Sequence, residues 1–227
     1  MAKHLDLEEQ EQLDELRHFW KSYGNAITGA LLVVAVGLAG WFGYQYWQGG
    51  RATQASMMYD EVERAIQAGD SARVDRALAD MNERFDSTFQ ARQAGLVAAK
   101  NYHDKGNIDA AVAALAAVAA KSPDDGYGAM ARLRLAGLLA EKKSYDEAIK
   151  QLAGSFPKDF VPLADDRRGD VLMAQGKKAE AKAEYEKAYK GLSERFEYRR
   201  LVEIKLNALG VDLSEARSTA AATAGKN

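Results

Sequence analysis

The side chains that most often carry catalysis or hold metals are few and scattered here. The sequence has three histidines and no cysteine. His4 and His18 lie near the N-terminus, and His103 stands alone in the rest of the chain, between Tyr102 and Asp104. A metal site needs three or four converging donors, so a lone imidazole predicts none. Without thiols there is neither thiolate chemistry nor a disulfide, which suits an oxidising compartment. Carboxylates are plentiful but recur at helix-pair spacing with bases, as in Glu180, Glu184 and Lys187, the pattern of a solvated helix face. No phosphate-loop signature, nucleophile elbow or zinc-protease helix occurs, and Gly49-Gly50 reads as a joint rather than a phosphate cradle. The expectation is a chain with no catalytic residue, no cofactor and no metal.

Charge excludes another class. The formal net charge is −2, divided as −3 over residues 1–25 and +1 over the remainder. Neither part has the positive field that nucleic-acid binding requires.

What remains is surface, and the elements that present it begin with Ala26–Tyr44, AITGALLVVAVGLAGWFGY. No charge occurs from Ser22 through Gly50. As a helix its 19 positions cover roughly 28 Å, close to the hydrocarbon thickness of a bilayer. All three tryptophans flank it: Trp20, with Phe19 and Tyr23, before it, and Trp41 and Trp47, with Tyr44 and Tyr46, at its end. Such rings favour the headgroup layer. The acidic lead and bulky aromatic exit argue against a cleaved leader. We therefore expect a cytoplasmic tail over 1–24, a transmembrane helix over 25–47 and a joint over 48–51. Arg17 and Lys21 before the span, against Arg51 after it, place the N-terminus inside. Ala35, Ala39 and Gly43 fall on one helix face, where small side chains admit a second membrane helix.

From residue 52 the pattern is helical and repeats itself. AAKNYHDKGNIDAAVAAL (98–115), LAGLLAEKKSYDEAIKQL (135–152) and RGDVLMAQGKKAEAKAEY (168–185) align at separations of 37 and 33 residues. Each begins with a small residue (Ala99, Ala136, Gly169) and has a larger one three positions on (Tyr102, Leu139, Leu172). After a turn comes an alanine (Ala111, Ala148, Ala181), then a large residue four later (Leu115, Leu152, Tyr185). Small residues let two antiparallel helices cross closely, and the large ones reach the next pair, so the pairs must stack. The spacing resembles the tetratricopeptide repeat. Gly106, Asp109, Ala111 and Pro123 fit its positions, while Arg132 and Arg168 stand where apolar residues are usual.

The fold class expected is all-α: one N-terminal transmembrane helix, then a tetratricopeptide-like α-solenoid over 52–210. It has four helix pairs (52–84, 88–121, 126–154, 161–190) and a capping helix over 193–209. Ser193 would cap that helix, turning Leu201, Ile204, Leu206 and Leu209 inward and Arg199, Arg200, Glu203 and Lys205 to solvent. The tail 211–227 is expected to be disordered. By repeat register, Tyr59, Glu63, Leu96, Lys100, Met130, Leu133, Asp166, Asp170 and Met173 face the wall built by the first helices, a surface suited to peptides or to the capping helix.

The whole arrangement resembles the YfgM-type ancillary subunits of the bacterial SecYEG translocon. The likeness is carried by the acidic tail, the entry LRHFWKSYGNAITGALL with Phe19, Trp20, Lys21, Tyr23 and Gly24, the exit WFGYQYW, and the alanine-rich repeats. It implies a single-pass inner-membrane protein with a periplasmic domain. It also implies association with the SecYEG translocon and with the membrane-anchored periplasmic chaperone PpiD, and a part in passing exported polypeptides onward. A general envelope-assembly or cell-division scaffold of the same architecture is the alternative.

Overall fold

The structure is a computed structural model that describes residues 7–121 and 125–211. Pro123 and all but Val211 of the expected tail lie outside the described residues. Every α-helix among them runs in the order α1 (Leu7–Gln67), α2 (Ser71–Phe85), α3 (Phe89–Asp104), α4 (Ile108–Lys121), α5 (Gly126–Glu141), α6 (Tyr145–Ala153), α7 (Val161–Ala174), α8 (Lys178–Gly191) and α9 (Tyr198–Ala208). One 3-10 turn, Lys158–Phe160, leads into α7. The chain divides into two compact units, 1–54 and 55–227.

In the first unit, α1 contains a stretch long and apolar enough to cross a membrane, with none of it buried by protein. Leu31, Leu32, Val33, Val36, Leu38 and Phe42 are all exposed around the helix. At the entry the Trp20 indole lies over Gly24, where an added Cβ would be 3.2 Å from its nitrogen. At the exit the Arg51 guanidinium sits 4.9 Å from the Trp47 ring centre. Residues 48–51, expected as a joint, are helical within α1.

The second unit stacks helix pairs: α1 from Ala55 with α2, then α3/α4, α5/α6 and α7/α8, with α9 last. All six small crossing residues are buried, and Ala111, Ala148 and Ala181 have no exposed surface. Their large partners are buried too, Leu152 completely and Tyr185 to 3%. Gly169 shows why size matters there, since an added Cβ would lie 2.4 Å from the Tyr185 ring.

The turn within each pair is one motif used four times. The first helix ends at a residue of positive φ: Gly69 (71°), Gly106 (77°), Lys143 (61°) and Gly176 (78°). The next amide reaches back to close it, as Asn107 N does to Tyr102 O at 2.8 Å and Ser144 N to Leu139 O at 2.8 Å. This is the Schellman closure, which satisfies carbonyls that a helix end leaves open. Lys143 holds the conformation without glycine's freedom.

The arginines that depart from the repeat pattern cap a helix. Arg132 is buried and donates to Gln151 O at 2.9 Å and Ser155 O at 2.7 Å, with its guanidinium 3.9 Å from the centre of the Phe156 ring. Arg168 donates to Leu152 O at 2.7 Å. Two cations thus sit at the negative C-terminal end of the short helix α6.

The last helix differs from expectation twice. It begins at Tyr198, after turns over 193–197, and Ser193 does not cap it. It is also rotated: Val202, Glu203 and Leu206 are buried, whereas Leu201 (46%) and Ile204 (61%) are exposed. Glu184, expected on a solvated face, is gripped by Arg168 at 2.7 Å and Lys187 at 2.6 Å, with its side chain only 13% exposed.

Candidate functional site: a cleft in the wall of first helices

The helices α3, α5 and α7 are neighbours, and a cleft of about 370 Å³ opens among them. Its floor is apolar. Leu96 and Ala99 come from α3, Leu138 from α5, and Leu115 rises between them from α4. The rim is basic: Lys100 and His103 on α3, Arg134 on α5 and Arg167 on α7. No carboxylate lines it.

The local fold explains these positions. Leu96, Lys100 and His103 follow one another at one helical turn, so α3 offers them as a single row. Only the edge of Leu96 reaches the cleft, since at 5% exposure it belongs, with Ala98, Ala99 and Tyr102, to the core. On α5, Gly137 leaves room for Arg167, whose guanidinium would be 3.8 Å from an added Cβ.

Rim charges are held unequally. Lys100 pairs with Asp104 on its own helix, and His103 Nε2 lies 3.2 Å from Glu141, tying α3 to α5. Arg167 reaches Asp170 at 3.5 Å. That carboxylate has closer partners, Lys205 at 2.6 Å and the Tyr185 hydroxyl at 2.8 Å. Arg134 is exposed and has no carboxylate within ion-pair distance among the described residues.

The nine side chains expected on this wall fall into four groups. Leu96 and Lys100 line the cleft. Tyr59 and Glu63 lie on α1, where the Tyr59 hydroxyl donates to Glu63 at 2.7 Å and accepts from Gln93 at 3.1 Å. Burial, then the Glu63 carboxylate, pushes that phenol up to about 12. Met130, Leu133 and Met173 are half-buried and pack against the two cores.

Asp166 and Asp170 are taken by α9. Asp166 is completely buried, accepting from Tyr198 at 2.6 Å and Lys205 at 2.8 and 2.9 Å. Asp170 joins Lys205 and Tyr185, forming one latch across α7, α8 and α9. Burial and these carboxylates push the Tyr185 and Tyr198 phenols far above their ordinary range, so both remain donors. A proton held that firmly suits structure rather than acid–base catalysis at neutral pH.

Repeat register alone reached Leu96 and Lys100 but missed Arg134, Leu138 and Arg167. A signal was present: Arg134 and Leu138 are one turn apart, as are Leu96 and Lys100, and Arg134 lies 38 residues beyond Leu96. Among the described residues, no cluster of three or more His, Asp or Glu could hold a metal ion.

Comparison with known proteins agrees with this architecture. Residues 17–211 match the family model described as a tetratricopeptide repeat-like domain. Nearly identical TPR-like repeats from a kinesin-light-chain-type protein of Podosopora anserina superpose with a TM-score of 0.51 at 15% identity, covering 70% of this chain and 85% of that one. That likeness concerns the fold alone. Proteins named ancillary SecYEG translocon subunit align over nearly their whole length. The one from Neisseria gonorrhoeae is 32% identical, with 92% of this chain and 100% of the relative covered. Those from Haemophilus influenzae and Escherichia coli K12 are 28% and 27% identical, each over 89% of this chain and 98% and 97% of the relative. A repeat domain behind an apolar N-terminal helix, matched by these relatives over about nine-tenths of the chain, identifies the chain as a member of the tetratricopeptide repeat-like family of ancillary SecYEG translocon subunits.

Proposed function

We propose that this chain is a non-enzymatic, membrane-anchored adaptor of the SecYEG translocon. The helix over 25–47 holds it in the inner membrane with its N-terminus in the cytoplasm, and residues 52–210 work in the periplasm. There the repeat domain contacts exported polypeptides and helps pass them to periplasmic chaperones, with PpiD as its membrane-anchored partner. The observation that carries this reading is the open cleft among α3, α5 and α7, an apolar floor in a domain whose other polar clusters are committed to structure. Such a surface binds chains without transforming them. The wall of Tyr59, Glu63, Leu96, Lys100, Met130 and Leu133 is the contact face proposed. Ala35, Ala39 and Gly43 are exposed on the membrane helix, and we assign them to contact with another membrane helix.

Site-specific photocrosslinking in intact membranes tests this. Probes at Tyr59, Met130 and Leu138 should capture translocon components, PpiD or emerging chains. A probe at Glu83, exposed on α2, should not. Capture of none of them from any wall position would refute the adaptor reading. Replacing 26–44 by polyleucine while retaining every partner would reduce the membrane helix to a tether.

A further inference from the structure

The rim of the cleft carries information beyond the fact that something binds there. Its floor is uncharged, and its charged rim residues, Lys100, Arg134 and Arg167, are all cations on three successive first helices. The three cations come from three helices and line one cleft, with the Arg167 guanidinium lying over Gly137 of α5. Neighbouring helix axes are about 8–10 Å apart, so a few residues of extended chain are long enough to cross the cleft and meet cations on both sides of its floor. At about 370 Å³ the cleft is at the small end of ligand pockets, enough for one bulky apolar side chain but not for a folded surface.

The charges differ in availability, and that sets the order of engagement. Arg134 is exposed and lacks a carboxylate partner. Lys100 is paired only along its own helix, with its side chain 71% exposed, a pairing of little strength. Arg167 shares Asp170 with the nearer Lys205, so an incoming carboxylate can draw the guanidinium away while Asp170 keeps two partners. Each cation can therefore meet an acidic side chain without stranding a buried charge.

Resting on the adaptor reading, we propose that the α3–α5–α7 cleft selects extended polypeptide segments in which acidic residues flank one bulky apolar side chain. The apolar residue enters between Leu96 and Leu138 above Leu115, and the flanking carboxylates meet Arg134 first, then Lys100 and Arg167. The selectivity is electrostatic, so it fades with salt.

The test uses the full chain in nanodiscs and three fluorescent nonapeptides: one with glutamates around a central Phe, one with lysines around the same Phe, and one with glutamates around Ser. The acidic Phe peptide should bind at least tenfold more tightly than either of the others, with affinity falling as salt rises. Arg134→Glu should abolish that preference. Arg134 is exposed and lies outside the hydrophobic core, and unchanged thermal melting verifies that the fold persists. Lys100→Glu serves as a second rim variant. Equal binding of the acidic and lysine peptides, or an acidic preference unaffected by both substitutions, would overturn the proposal. So would peptide-independent binding of phosphatidylglycerol vesicles that Arg134→Glu removes, since the rim would then be reading a lipid surface. Continued crosslinking of exported chains at Leu138 alongside a negative peptide result would leave the adaptor reading standing and remove only this selectivity.

Discussion

The crossing of α7 and α8 makes a quantitative prediction through Gly169. Changing Gly169 to Ala adds one methyl group 2.4 Å from Tyr185 Cε1 and 2.6 Å from Cδ1. Carbon atoms rest at about 3.5–4.0 Å, so more than an ångström must be recovered. The ring cannot swing aside freely. It is 3% exposed, its hydroxyl is tied to Asp170 at 2.8 Å, and the Lys205 ammonium lies 5.2 Å from its centre. Overpacking of this kind costs about 1–3 kcal/mol, against a helix-propensity gain of about 1 kcal/mol for replacing glycine. The buried, tethered ring puts the cost near its upper end, for a net loss of about 1–2 kcal/mol. Gly137→Ala is the control: its nearest neighbour, the Arg167 guanidinium, is 3.8 Å away, an ordinary contact. Only the propensity gain applies, up to about 1 kcal/mol. The same chemical change should thus move stability in opposite directions at two repeats. In a domain of this size each kcal/mol shifts the melting temperature by about 2–4 °C. Circular dichroism melts of the two full-length variants in one detergent measure this, with the membrane helix common to both. If Gly169→Ala melts at or above the parent, the close approach of Tyr185 to α7 is refuted.

Three further substitutions probe other parts of the fold. Lys205→Met leaves Asp166 buried with Tyr198 as its remaining partner, and should cost about 3–5 kcal/mol, read as early proteolysis at Arg199 and Arg200; adding Asp166→Asn should recover part of that loss. Lys143→Gly removes a side chain from a φ of 61° at the α5–α6 turn and should stabilise by about 1 kcal/mol in denaturant titration. Burial acts to raise the Glu184 carboxyl, but the hydrogen bonds from Lys187 and Arg168 outweigh it and hold the group below its ordinary 4.5. The stability this gives is present above the unfolded value and lost as pH falls through the folded one. Glu184→Gln should therefore flatten the decline in melting temperature below about pH 5. Asp165, raised chiefly by burial, works in the opposite sense and keeps the parent's decline shallow.

The helix pairs were legible because they rest on spacing alone. Small residues at Ala99, Ala136 and Gly169 and alanines at Ala111, Ala148 and Ala181 define three crossings, and α3–α8 follow the expected pairs within a residue or two, whereas the first helix of the first pair is the continuation of α1 from Leu7. The polar decisions were not legible in this way. Arg132 and Arg168 look like faults in an apolar register until the carbonyls of α6 are placed beside them, some 16–23 residues away in sequence. Asp166 reads as a surface carboxylate because its partners, Tyr198 and Lys205, lie 32 and 39 residues further on. Lys100 and Leu96 were recoverable for the cleft because they share one helix row. Arg167 was not, since its approach depends on the bare backbone of Gly137 on another helix.

The rotation of α9 shows what settles such a case. Its sequence offers two apolar rows, Leu201 with Ile204 and Val202 with Leu206, and apolar area alone scarcely separates them. The row that faces inward is the one aligned with the polar residues. Tyr198, Val202, Lys205 and Leu209 follow at i, i+4, i+7 and i+11, so turning Val202 inward also brings Tyr198 and Lys205 onto Asp166. Turning Leu201 and Ile204 inward would leave a buried carboxylate without its cation, a penalty of several kcal/mol that exceeds any difference in apolar burial between the rows. The buried latch therefore chooses the face of α9. In doing so it occupies Asp166 and Asp170 at the far end of the wall, and the open basic-rimmed cleft lies among α3, α5 and the near side of α7.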